Sequence, residues 1–161
     1  MGTTIKAELS YGYRLQGSDG EWLVREVHPD DSDLWGLNLD WFDNEDGDED
    51  NFDEAAKRRL LATVGFTETD WRVDGYHDRQ RAAEDRLGVQ LERTGYEAED
   101  LLLVTKQIGA YLGNAEVIDP AILVAEGERG DADARLRSAL AVLGLTPVQE
   151  QPAWLLTAYR G

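Results

Sequence analysis

Two segments of this 161-residue chain end a helix in the same way, and that repetition constrains the fold more than any other feature. AAKRRLLATVGFT at 55–67 aligns with ARLRSALAVLGLT at 134–146, and six of the 13 positions are identical. Leu136, Ala139, Leu140 and Leu143 recur at i, i+3, i+4 and i+7, which is one face of an α-helix over 132–143. Phe52, Ala56, Leu60 and Val64 line one side of a helix that starts at Asp50 or Asn51 and runs to Val64. Gly65 and Gly144 follow, where a left-handed cap favours glycine. The same offset pairs Leu39-Asp40 with Ile118-Asp119. With four extra residues in the second copy, Trp71 pairs with Trp154 and Tyr76 with Tyr159, and upstream Gly12-Tyr13 pairs with Gly95-Tyr96. Two copies are too few for a solenoid. The pattern predicts an α+β protein of two tandem related halves, 1–76 and 89–161, joined by a helical connector at 77–88. Each half would be a small, mostly antiparallel sheet with one packed helix, the two related by a pseudo-twofold axis. They would share one sheet or pack as two lobes.

Runs of β-branched and aromatic residues bounded by turn residues supply the strands. Residues 3–15 and 21–27 flank Gly17-Ser18-Asp19-Gly20 and read as a hairpin. Leu37, Leu39 and Trp41 alternate with Asn38 and Asp40, the period of a half-buried third strand. Further strands are expected at 71–76, 89–94, 101–112, 114–119 and 153–159, with a short helix at 120–126. Hydrophobic residues make up 42% of the chain, enough for a core, so it is not a disordered sequence.

Charge separates the halves where the helix repeat unites them. Residues 1–54 carry 16 acidic and three basic side chains, and residues 55–161 carry 17 and 13, within a total of −17. Direct binding to nucleic acid or anionic lipid needs Lys and Arg against phosphate, so neither is expected. No cysteine is present, which removes disulfides, thiolate catalysis and Cys-ligated zinc. No apolar run reaches the roughly 18 residues of a membrane span. The N-terminus has no signal-peptide run, and a cytoplasmic protein is expected.

The acids concentrate at Asp43, Glu45, Asp46, Asp48, Glu49 and Asp50, six charges in eight residues. An EF-hand fails here, because placing Gly47 at loop position six puts Phe42 at position one. No metal site and no cofactor is expected. Neither His28 nor His77 lies in a metal-ligand motif, no serine sits in a G-x-S-x-G elbow, and no phosphate-binding glycine loop occurs. Extended, the segment has a charge every 4–5 Å or so, near the roughly 3.4 Å phosphate spacing along a DNA strand. Asp30, Asp31, Asp33 and Asp40 widen the acidic region, and Trp35 and Trp41 flank it as candidate anchors for a partner. A solvated, self-repelling loop is the plainer alternative.

The run YGYRL, WLVREV, LDWFD and then AAKRRLLATVGFTETDW resembles small acidic proteins of unknown function in actinobacteria and their phages, over most of residues 9–90. The resemblance implies no catalytic activity. A phage origin would fit an anti-defence protein. The leading expectation is a non-catalytic protein-binding domain whose acidic half meets a basic partner surface. In its sharpest form this is a DNA mimic inhibiting a nucleic-acid-binding defence protein, of the anti-CRISPR or anti-restriction kind. The alternatives are a structural or regulatory module without mimicry, and a metal-dependent enzyme using carboxylates. Oligomeric state is left open.

Overall fold

A computed structural model describes residues 5–29, 36–42, 50–95, 99–128 and 130–160. The elements in chain order are β1 (Ile5–Gln16), α1 (Asp50–Ala62), α2 (Tyr76–Leu87), β2 (Gln90–Arg93), β3 (Leu101–Tyr111), α3 (Pro120–Glu128), α4 (Asp131–Leu143) and β4 (Ala153–Arg160). This is an α+β arrangement with one open antiparallel sheet in the order β2-β3-β1-β4. β1, the sheet strand of the N-terminal half, lies between β3 and β4, so the two expected halves share one sheet and each does not form its own. Leu9 faces Ile108 on one side and Leu156 on the other, which fixes the register.

One face of the sheet carries the main core. Tyr11, Tyr13 and Leu15 of β1, with Leu101 and Leu103 of β3, pack against Phe52, Ala56 and Leu60 of α1 and against Leu136, Ala139, Leu140 and Leu143 of α4. A smaller cluster of Leu61, Phe66 and Ala83 joins α1 to α2, and Lys57 pairs with Glu84 across that seam at 2.7 Å.

The repeated helix endings are geometrically equivalent. Gly65 and Gly144 both have positive φ, 84° and 67°. Phe66 N–H donates to Leu61 O at 3.1 Å, and Leu145 N–H donates to Leu140 O at 3.0 Å. Gly65 N–H donates to Ala62 O and Gly144 N–H to Ala141 O. Both ends are therefore Schellman caps closed by an apolar residue. Beyond them the correspondence stops. Trp71 lies in a turn and is 63% exposed, whereas its sequence counterpart Trp154 lies on β4 and packs at a tilt against Tyr11, the ring centroids 5.2 Å apart. Tyr76 opens α2, whereas Tyr159 is within β4.

Several expected strands are absent as ladders. Residues 21–27 are extended but split their hydrogen bonds among three neighbours. Leu23 N–H bonds Leu15 O, Arg25 N–H bonds Thr146 O, and Asn38 N–H bonds Glu26 O. Only isolated bridges result, at Gln16↔Trp22, Val24↔Pro147 and Val27↔Leu37. The period-two burial at 37–41 is present, with Leu37 1% exposed, but the segment bends at 40–41 and does not pair onward. Residues 71–75 are turns, because the left-handed Gly75 (φ 75°) starts α2. Residues 114–119 are unpaired chain, with Val117 98% exposed.

Candidate functional site

The acidic region is attached to the fold through aromatic packing. The Phe52 ring, fully buried in the first turn of α1, meets Trp22 at 5.1 Å, Phe42 at 5.2 Å and Trp41 at 5.9 Å. Trp41 Nε1 donates to Leu143 O at 2.8 Å, and the Arg59 guanidinium covers its ring at 5.0 Å. Both flanks of residues 43–49 are thereby fixed to one aromatic cluster. Trp41 is half-buried and contributes to packing, and Asp40 is exposed. Asp50 is the first residue of α1. Asp30, Asp31, Asp33, Trp35, Asp43, Glu45, Asp46, Asp48 and Glu49 lie outside the described residues. Asp53 is tied to the sheet, because Arg93 of β2 grips it with two nitrogens, one bond being 2.9 Å, and also donates to Gln16 Oε1 at 3.0 Å.

A second constellation lies on the opposite face of the sheet from the core helices, and sequence reading missed it. Alternation along β1 puts Lys6, Glu8 and Ser10 on that face. Ser10 stands across from Gln107, and Gln90 Nε2 donates to Gln107 Oε1 at 2.5 Å. Two residues along β2 from Gln90, Glu92 hydrogen-bonds Glu8, which in turn pairs with Lys6. These side chains form a polar circuit that is left open at Ser10 and Gln107. Glu8 and Ser10 are 4% and 1% exposed, whereas Lys6 and Glu92 are half-buried and Gln90 is exposed. Among the described residues, the buried side-chain atoms without a partner are Ser10 Oγ, Gln107 Nε2 and Glu92 Oε2, and all three belong to this circuit.

The electrostatics follow from the surroundings. Glu92 stands opposite Leu102, which is 2% exposed, and Gln90 stands opposite Val104, which is fully buried. Burial beside apolar neighbours, then the bond to Glu8 and its charge, push the Glu92 carboxyl up to about 7, while Lys6 opposes the rise. With both acids ionised, Glu92 Oε2 has no donor. A proton shared between the two carboxyls supplies one. On the core face, burial and a 2.7 Å bond to Asp133 push the Tyr11 hydroxyl up to about 12.

The raised Glu92 value has a definite consequence for stability. The folded state holds this proton more tightly than the unfolded chain, whose value is near 4.5. The contribution is therefore complete below about 4.5 and is lost as pH rises through about 7. Glu92→Gln is expected to flatten this fall. Relative to the variant, the wild type should lose on the order of 1–2 kcal/mol between the two limits, after discounting for solvent screening at a half-buried group. Urea unfolding of both proteins at several pH values measures it. Parallel pH profiles would show that the two carboxyls are not coupled.

His28 and His77 enter neither constellation. His28 N–H donates to Gly36 O, and the His77 ring stands edge-on to Tyr76 at 5.4 Å. Among the described residues no three or more His, Cys, Asp or Glu gather as a metal site, and no helix is long and apolar enough to cross a membrane. The polar alternation Lys6-x-Glu8-x-Ser10 is the one local signal in the sequence for this circuit. Comparison with protein-family models, with curated proteins and with solved structures yields no match.

Proposed function

We propose that this chain is a non-catalytic, cytoplasmic protein-binding domain that presents its acidic segment, residues 30–54, to a basic surface of another protein. The observation that supports this reading is the attachment of the segment. In sequence, six acids in eight residues stand between Phe42 and Phe52, whose rings are 5.2 Å apart. Charge gathered at a fixed point steers an oppositely charged partner and raises its association rate. Trp41 is already committed to Phe52 and Leu143, so in this reading the carboxylates carry the contact and Trp41 contributes little as an anchor. The sharpest form of the proposal is an inhibitor that occupies the nucleic-acid groove of a defence protein, as a DNA mimic of the anti-CRISPR or anti-restriction kind. The resemblance to small acidic phage proteins favours that form. The equivalent Schellman caps of α1 and α4 favour a tandem origin of the two helical units, with the acidic segment added to the first.

A pull-down from host lysate, read by mass spectrometry, tests the proposal. The wild type is compared with a variant carrying amides at Asp43, Glu45, Asp46, Asp48, Glu49 and Asp50. A specific partner is expected with the wild type alone. Its affinity should fall at least about tenfold as added salt shortens the screening length from about 30 Å to about 8 Å. Recovery of the same proteins by both forms would remove the acidic segment from the function.

A further inference from the structure

The helices cover only part of the sheet. A 13-residue helix such as α4 is about 20 Å long, whereas the 12 residues of β1 span about 40 Å. The main core accordingly includes Tyr11, Tyr13 and Leu15 but not the preceding residues of β1. On the same face, the far end of the sheet carries Ala7 and Leu9 from β1, Ile108 and Ala110 from β3, and Leu156 and Ala158 from β4, paired directly across the strands. None of these six is polar. None is fully buried, and Leu156 is 77% exposed.

Neighbouring segments extend the apolar surface. Ile5 is 36% exposed and accepts a backbone bond from Leu112, itself 72% exposed. α3 packs beside β4, where Trp154 Nε1 donates to Leu123 O at 3.1 Å, and it exposes Ile122 and Val124 at 46% and 60%. The exposed apolar area of these groups is on the order of 700 Å², near the roughly 800 Å² per partner of a stable protein interface.

We propose that this face is closed by a second copy of the chain. An antiparallel sheet face meets its own copy around a twofold axis without needing a complementary charge pattern. The charge distribution permits this arrangement. The acidic segment is anchored by Phe42 and Phe52, which pack in the cluster at the Leu15 end of β1, whereas the apolar face begins at Ile5 and Leu9. Two copies meeting at the apolar ends keep the Phe42 and Phe52 anchors of the two acidic segments away from the contact. The charged residues whose register places them on this face, Lys106 opposite Tyr11 and Arg160 opposite Ile5, are basic and offer nothing to the basic partner of the acidic segment, so the two surfaces are independent.

Sedimentation velocity on the full chain, from low to high micromolar concentration, tests the proposal. A dimer of the 18.0 kDa chain is expected, strengthened by added salt because screening reduces the repulsion between two acidic protomers. Docking through the acidic segment has the opposite salt dependence, so the two proposals fail separately. Leu156→Glu places a charge at an exposed position, leaves the monomer folded by circular dichroism, and should raise the dimer dissociation constant at least about tenfold. Val148→Glu, at a 59% exposed residue bonded to Leu23 away from this face, should leave the dimer intact. A wild type that stays at 18.0 kDa throughout overturns the proposal. A dimer insensitive to Leu156→Glu overturns it as well. So does a monomer that binds phosphatidylcholine vesicles through Leu156, which would make lipid the occupant.

Discussion

Phe52→Ala is expected to cost about 3–5 kcal/mol of folding stability, the range for removing a buried aromatic ring. Phe52 is fully buried and holds together residues distant in sequence. Trp22 meets its ring near edge-on at 77°, Phe42 at 83°, and Trp41 packs at 5.9 Å. Truncation removes these ring contacts and leaves a cavity that the three neighbours fill only partly. Because Trp41 and Phe42 precede the acidic segment and Phe52 follows it, the same change frees the base of that segment. Urea unfolding should show a lower midpoint with little change in slope. A loss below about 1 kcal/mol would mean that Phe52 is not the centre of the cluster. Under the proposed function, conditions in which the variant remains folded should show slower association with the partner, since the charge is no longer held at one point.

Gly12→Ala is expected to destabilise the protein by about 2–4 kcal/mol, through overpacking and not through a lost contact. A Cβ at Gly12 would lie 1.9 Å from Leu103 O and 2.8 Å from Val104 Cα. Both obstacles are backbone atoms of β3, so no side-chain rotation relieves them. The register between β1 and β3 shifts at Tyr11/Gly12, and this bulge lets the two strands approach closely. Adding a methyl group forces the central strands apart. It thereby loosens the packing of Tyr13 and Leu15 against the helices on one face and the circuit of Glu8, Ser10 and Gln107 on the other. Gly20, which has nothing near its Cβ position but a φ of 83°, is the informative comparison. Alanine there strains only a turn and should cost less than alanine at Gly12. Equal losses at the two positions would contradict the close approach of β1 and β3.

Periodicity in the sequence located the helices well. The apolar spacing at 52–64 and 132–143, with glycine after each run, corresponds to α1 and α4 and to their matching caps, because helix formation and capping depend on neighbours within a few residues. The strands at 101–112 and 153–159 were legible for a similar reason. Their apolar runs, 101–104 and 153–156, lie in an interior strand or pair directly with one. Residues 21–27 misled because strand composition reports an extended, half-buried chain and does not name the partner. Their hydrogen bonds go to Leu15, Thr146 and residues near Leu37, which no local pattern encodes. The Trp71 and Tyr76 matches misled differently, since identical residue types recur where the backbone is a turn in one copy and a strand in the other.

For this protein, sequence alone determined what is local or summed over the chain. It set the positions of α1, α2 and α4, the glycine caps, the acidic excess of the first 54 residues and the absence of cysteine chemistry. Tertiary structure alone decided which distant residues meet. It placed β1 between β3 and β4, brought Glu92 against Glu8, gathered Trp22, Trp41 and Phe42 around Phe52, and left the far half of the sheet without a helix over it. The physical reason is that helix periodicity and capping are written in neighbouring residues. Strand pairing and burial depend instead on loop closures whose favourable contacts appear only once the whole sheet has formed.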